Sequence, residues 1–172
     1  MSAHLIRRAV PSDGAAVAEA FQDGIERLGG VLHEPAFYAE HFERAIGQAA
    51  SPFGVWVLEV GGRVWAWASV LPVVNNPNLR PRVGEVSTYV HRGCPLKDTP
   101  GRLVTAYAEA EAENAGLQQL LGFVSTSNRP AQRLYEVLGW TNVGTVPAST
   151  GEPPVGERSL YVRTLTPPHA PA

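Results

Sequence analysis

Val17, Phe21, Ile25 and Leu28 recur at spacings of four and three residues, the period of a helix with one apolar face. This predicts a helix opening after Pro11-Ser12-Asp13, where a side-chain oxygen can accept a free backbone N–H, and stopping at Gly29-Gly30. His4 to Val10 reads as a strand before it. A second helical stripe starts near Pro35, with Tyr38, Phe42, Ala45 and Ile46 on one face and Glu40, Glu43 and Arg44 on others.

The pattern then changes period. Val55 to Val60 and Val64 to Leu71 are β-rich runs joined at Gly61-Gly62, where glycine permits the positive φ angles of a tight hairpin. Val83 to Val90 is a further strand. Gly101 to Asn114 is an alanine-rich helix with Thr99 as cap, Pro100 at its first position and Gly116 as its stop. Leu120 to Val124 predicts a short buried strand, Pro130 to Leu138 a helix, and Asn142 to Val146 and Ser159 to Thr164 two more strands. Val74 to Pro81, punctuated by Asn and Pro, reads as a loop too short to separate two domains. The order predicts a mixed α/β (α+β) fold around one central sheet, as a single domain over 1–165 with a frayed, proline-rich tail at 166–172.

Composition changes this picture mainly by exclusion. In 172 residues with 44% hydrophobic and 17% charged side chains there is enough apolar surface for a core without disulfides or metal. A formal net charge of −2 and no block of Lys or Arg argue against nucleic acid or an anionic membrane as partner, leaving a small molecule. The lone cysteine, Cys94, excludes an internal disulfide, and no Cys/His cluster has the spacing of a metal site. With no signal-like or membrane-length apolar run, the expected location is the cytoplasm.

The most informative stretch runs from Ser127 through Asn128, Ala131 and Tyr135 to Leu138-Gly139-Trp140, after one strand and before another. Asn128 falls at a helix N-terminus, and Tyr135 lies two turns along on the same side. Each residue also has a plain structural role, as cap, core aromatic and C-cap. The stretch resembles the late motif of the GNAT superfamily of acyl-coenzyme A N-acyltransferases, in which an Asn opens a short helix, a Tyr follows seven residues later and Leu-Gly-aromatic ends it. The resemblance implies a sheet of six to seven strands flanked by about four helices, acetyl-CoA as co-substrate and, often, a homodimer. It further implies that Asn128 hydrogen-bonds the cofactor arm beside Ala131, and that Tyr135 offers its hydroxyl to the departing thiolate.

Gly84-Glu85-Val86-Ser87-Thr88-Tyr89-Val90 is similar to the fourth strand of phosphinothricin acetyltransferase-like members, which opens on an acidic residue. Glu85, Ser87 and Tyr89 share one strand face. A carboxylate at the mouth of an apolar cleft has its pKa raised by desolvation, which suits a base collecting a proton from an ammonium. Glu85 is therefore the candidate base, its plain alternative being an exposed strand glutamate or a cross-strand ion pair. The end of this strand, Tyr89 and Val90, is implied to meet the cofactor.

One element departs from the family pattern. Where members carry Arg/Gln-x-x-Gly-x-Gly/Ala to cradle a pyrophosphate on backbone N–H groups, this chain has Leu96-Lys97-Asp98-Thr99-Pro100-Gly101, followed by Arg102 and Leu103. Gly101 keeps its place, Thr99 replaces a glycine and Pro100 removes a donor, leaving Lys97 and Arg102 as side-chain cations for the phosphate.

Cys94 has no partner pattern for a nucleophile, and His33 and His41 sit on a helical stretch without catalytic company. Trp65 and Trp67, two apart on a strand, are read as core before pocket wall. Three functions remain open: acetyl transfer from acetyl-CoA to the primary amine of a small molecule, transfer to a protein or peptide amine, or a non-enzymatic module on the same fold.

Overall fold

Gly61 and Gly62 both adopt positive φ, 61° and 79°, the geometry whose twist lets two antiparallel strands run straight into each other. The hairpin they close, β2 (Gly54–Val60) and β3 (Arg63–Pro72), anchors one half of the sheet. The computed structural model of the protein describes residues 3–30, 32–73, 76–79, 82–97, 99–150 and 156–166. Parts of the predicted 74–81 loop and of the phosphate segment (Asp98), and nearly all of the predicted tail, lie outside them.

The remaining strands and α-helices are β1 (His4–Arg8), α1 (Gly14–Arg27), which a short 3-10 turn (Pro11–Asp13) precedes, α2 (Pro35–Gln48), β4 (Val83–Val90), α3 (Pro100–Asn114), β5 (Gln119–Ser125), α4 (Arg129–Val137), β6 (Thr141–Val146) and β7 (Arg158–Thr164). Order and type follow the hydrophobic pattern, with boundaries shifted by a residue or two. The seven strands form one mixed sheet in the order β1-β2-β3-β4-β5-β7-β6, in which the pair β4–β5 is parallel and every other pair antiparallel.

Each face of the sheet carries its own helices. On one, α1 and α2 cover Val55, Val57 and Trp67 through Val17, Ala20 and Ile46. On the other, Val104, Ala108 and Ala112 of α3 pack with Tyr135 of α4 on Ala66, Ala68, Val70, Val86, Leu120 and Tyr161. Trp140, just after α4, donates its indole N–H to a buried carboxylate oxygen of Glu109 in α3 at 2.7 Å, tying the two helices together.

Two predicted caps act differently. Asp13 stands at the start of α1, yet its carboxylate makes no bond to that helix. It turns back to accept from the Val10 N–H at 2.8 Å and from both terminal nitrogens of Arg7, a bidentate pair that outcompetes a neutral cap. Its pKa is held below the usual carboxylate range, chiefly by the Arg7 hydrogen bonds. Thr99 occupies the cap position of α3 but its hydroxyl makes no capping bond.

A bulge separates the two tryptophans, which strict alternation two residues apart would put on one strand face. Leu58 pairs with Ala66 and Glu59 with Val64, so Trp65 is the extra residue on β3 and alternation breaks there. Trp67 points to the α1–α2 face. Trp65 is diverted toward the other cluster, under Arg63 and beside His91.

Candidate functional site

β4 and β5 pair only from Val83–Gln119 to Glu85–Leu121, although β4 runs on to Val90 and β5 to Ser125. Each stays bonded to its outer neighbour, β4 to β3 as far as Val90–Ala66 and β5 to β7 as far as Ser125–Arg158. Two strand edges thus diverge and face each other across a wedge. Backbone N–H and C=O groups on such edges need partners, so the wedge is a natural seat for an extended, amide-bearing ligand.

Tyr135 stands at the apex. Its side chain is 4% exposed, and its hydroxyl donates to the Val86 carbonyl at 3.3 Å, the first residue of β4 beyond the paired stretch. Its ring stacks on Tyr161 at 5.4 Å and meets Trp140 edge-on at 4.5 Å. It can lie there because residue 122 is glycine: a Cβ on Gly122 would fall 2.8 Å from the Tyr135 ring and 2.9 Å from its hydroxyl. Glycine inside a strand is a recognised signal of close approach, and sequence reading passed over it here. Burial, followed by the nearby acidic groups Glu109, Tyr89 and Glu85, pushes the Tyr135 phenol well above its ordinary range, so it keeps its proton at neutral pH.

Glu85 approaches from the opposite face. It alternates with Val86, so its side chain shares the α1–α2 side with Ser87 and Tyr89. The carboxylate is half-buried and forms no ion pair with a described residue, so neither plain alternative, an exposed glutamate or a cross-strand pair, is found among the described residues. Desolvation raises its pKa, and the positive charge of Arg158 on β7 offsets part of the rise. Arg158 lies over the Phe123 ring, its centre 5.4 Å away, with a buried Nε that has no hydrogen-bond partner among the described residues.

The mouth of the wedge is framed by the residues expected to meet a cofactor. Gly101 in the first turn of α3 sits between β4 and α4: a Cβ there would be 3.4 Å from Val90 and 3.5 Å from Leu134. Leu103 and Ala131 pack beside it on the core. Lys97 and Arg102 are exposed and enter no ion pair with a described residue. Asn128 caps α4, its Oδ1 accepting from the Ala131 N–H at 3.2 Å, which leaves its amide N–H groups for another partner. Pro100 is buried and contributes no N–H to the helix terminus. Burial raises the Cys94 pKa, which agrees with leaving it aside as a nucleophile.

On the α1–α2 side of β4 a cavity of about 270 Å³ opens beside Ser87 and Tyr89. Its walls include Phe21, Phe42 and Trp67, and Phe37 and His41 stand exposed at its rim. The rings form a continuous set, Trp67 stacked on Tyr89 at 5.0 Å, Phe21 tilted against Tyr89 at 4.9 Å and Phe42 edge-on to Trp67 at 5.3 Å. Stripe periodicity had placed Tyr38, Phe42 and Ala45 on one face of α2; which of them frame a cavity depends on α1 and β3, far away in sequence.

The fold that carries this wedge and cavity has solved counterparts. The chain has the GNAT fold. A phosphinothricin acetyltransferase of the GNAT superfamily from Sinorhizobium meliloti, solved in complex with acetyl-CoA, superposes with a TM-score of 0.75 at 19% identity over 96% of this chain and 89% of its own. An N-acetyltransferase from Staphylococcus aureus Mu50 gives 0.79 at 19% identity over 96% and 100%. A ribosomal-protein-alanine N-acetyltransferase from Brucella melitensis gives 0.76 at 21% identity over 94% and 99%. No protein-family model matches the chain, and no curated protein sequence matches it significantly. Within the GNAT fold, then, this sequence stands far from those structures. Among the described residues no helix is long and apolar enough to cross a membrane, and no group of His, Cys, Asp and Glu is placed to hold a metal.

Proposed function

We propose that the chain is an N-acetyltransferase that moves the acetyl group of acetyl-CoA directly to the primary amine of a small molecule, in one domain over 1–165. The observation that carries the reading is the wedge between β4 and β5 with Tyr135 at its apex. Acetyl-CoA supplies an activated carbonyl as its thioester, and its amide-bearing arm matches the free strand edges. At the mouth, the α3 N-terminus with Gly101 and the exposed Lys97 and Arg102, which pair with no described residue, suit its phosphates.

The chain's own groups divide the proton work. An amine attacks only when neutral, and Glu85, its pKa raised by desolvation, can collect the ammonium proton directly or through water. The Tyr135 hydroxyl can turn from the Val86 carbonyl toward a leaving sulfur. With its pKa above the phenol's ordinary ~10, it is a weaker acid than a thiol near ~8.5, so it stabilises the sulfur as a hydrogen-bond donor. Asn128, through its free amide N–H groups, and Ala131 are assigned to the cofactor arm, with Tyr89, Val90, Thr99 and Leu103 along its course.

Pro100 favours a second reading, a module that keeps the fold and binds acetyl-CoA poorly, because it removes a donor from the phosphate cradle. A thermal melt with and without acetyl-CoA separates the two. A ligand present at a hundredfold excess over its dissociation constant stabilises the native state by about 2.7 kcal/mol. A melt unmoved by millimolar acetyl-CoA rejects the enzyme. Thiol release that depends on added amine supports it.

A further inference from the structure

We infer that the acceptor is an amine with an aromatic or bulky apolar body and no carboxylate, bound in the cavity between α1, α2 and the β3–β4 face. The inference rests on the acetyl-transfer reading and narrows its substrate. The cavity is described entirely by apolar, aromatic, hydroxyl and imidazole side chains, with no Arg, Lys, Asp or Glu in its wall among the described residues. Two of its polar atoms are already engaged: the Trp67 indole N–H donates to the Val17 carbonyl at 3.0 Å, and the Tyr38 hydroxyl accepts from the His33 N–H at 3.1 Å.

Size and polarity then point the same way. A dry cavity of ~150 Å³ holds benzene, so about 270 Å³ admits a ring with a short chain attached. Aromatic walls favour an apolar body, and their faces also favour the ammonium form in which an amine arrives. The polar end has one direction to take. Ser69 and Ser87 carry hydroxyls on the sheet side, and Ser87 lies two residues along the same strand face from Glu85, a backbone rise of about 7 Å. An amine at Ser87 therefore stands beside both the candidate base and the wedge. Among the described wall residues a carboxylate on the same molecule would meet no Lys or Arg, only the exposed His41 imidazole at the rim, while Arg158 lies on the Glu85 side outside the wall; a buried charge without a firm partner is strongly disfavoured.

The test uses the full chain with 2-phenylethylamine, phenylalaninamide, phenylalanine, glutamate and a short peptide beginning with phenylalanine. Thiol release from acetyl-CoA and calorimetric binding without it are both measured. The first two amines should exceed phenylalanine by at least ~100-fold in kcat/KM, with glutamate inert. Phe37→Ala, at a rim position 51% exposed, should raise KM for 2-phenylethylamine. Equal turnover of phenylalanine or glutamate overturns the inference and leaves acetyl transfer standing. No turnover of any amine, with 2-phenylethylamine still bound in preference to phenylalanine, sinks acetyl transfer and supports the cavity's assignment. Absence of 2-phenylethylamine binding, or a peptide preferred over both free amines, overturns it.

Discussion

Tyr135 on α4 and Val86 on β4 are joined by a 3.3 Å hydrogen bond at the point where the parallel strands part. The phenol takes the place of a ladder partner for one carbonyl and so marks the apex of the wedge. It holds a polar atom at the floor of an otherwise apolar layer, where its contribution to charge stabilisation is larger than in water.

Tyr135→Phe keeps the rings stacked on Tyr161 and Trp140 and removes only the hydroxyl. Stability should fall by about 1 kcal/mol, the ordinary worth of one hydrogen bond. Turnover should fall about 10²-fold with acetyl-CoA affinity little changed. Steady-state kinetics beside calorimetry check this, and normal turnover would make Tyr135 a core residue only.

Gly122→Ala tests the same atom from below. The added Cβ, 2.8 Å from the ring, must push the phenol away from Val86 or shift β5. The expected outcome is a lower melting temperature together with a fall in kcat that Tyr135→Phe does not deepen, since both act on one hydroxyl. Additive losses in the double variant would separate the glycine from the catalytic geometry.

The rate profile should show an acidic limb above the usual carboxylate range, because desolvation raises the Glu85 pKa and the base must be ionised to act. Arg158 favours the ionised form, so removing its charge with Arg158→Met should move that limb to still higher pH. Glu85→Gln should abolish it. A limb that stays put in both variants moves the base to another group.

Gly101→Ala distinguishes a phosphate seat from simple packing. The protein leaves ordinary van der Waals room for the methyl, 3.4 Å or more from Val90 and Leu134, so the melting temperature of the free chain should not fall. A phosphate approaching the same backbone would be displaced, and acetyl-CoA affinity should drop about 10-fold or more. Unchanged affinity, measured by calorimetry at low and high salt, places the phosphates elsewhere.

The elements were legible in the sequence because each is decided by neighbours along the chain. The stripe of α1, the Gly61-Gly62 turn and the alternating β4 are local facts, and so are the identities of Asn128, Tyr135 and Glu85. What each side chain meets is not local. Asp13 abandons its helix for Arg7 because a strand brings the guanidinium alongside, and Trp65 leaves the face of Trp67 because an extra residue must be absorbed against β2. Tyr135 and Glu85 come from opposite faces of the sheet, and only the sheet register sets both at the point where β4 and β5 part, Glu85 as the last paired residue and Tyr135 bonded to Val86 just beyond it. The cavity belongs to the same class: Phe21, Phe42, Trp67 and Tyr89 lie on four elements, and only their packing makes a pocket of four separate aromatic residues.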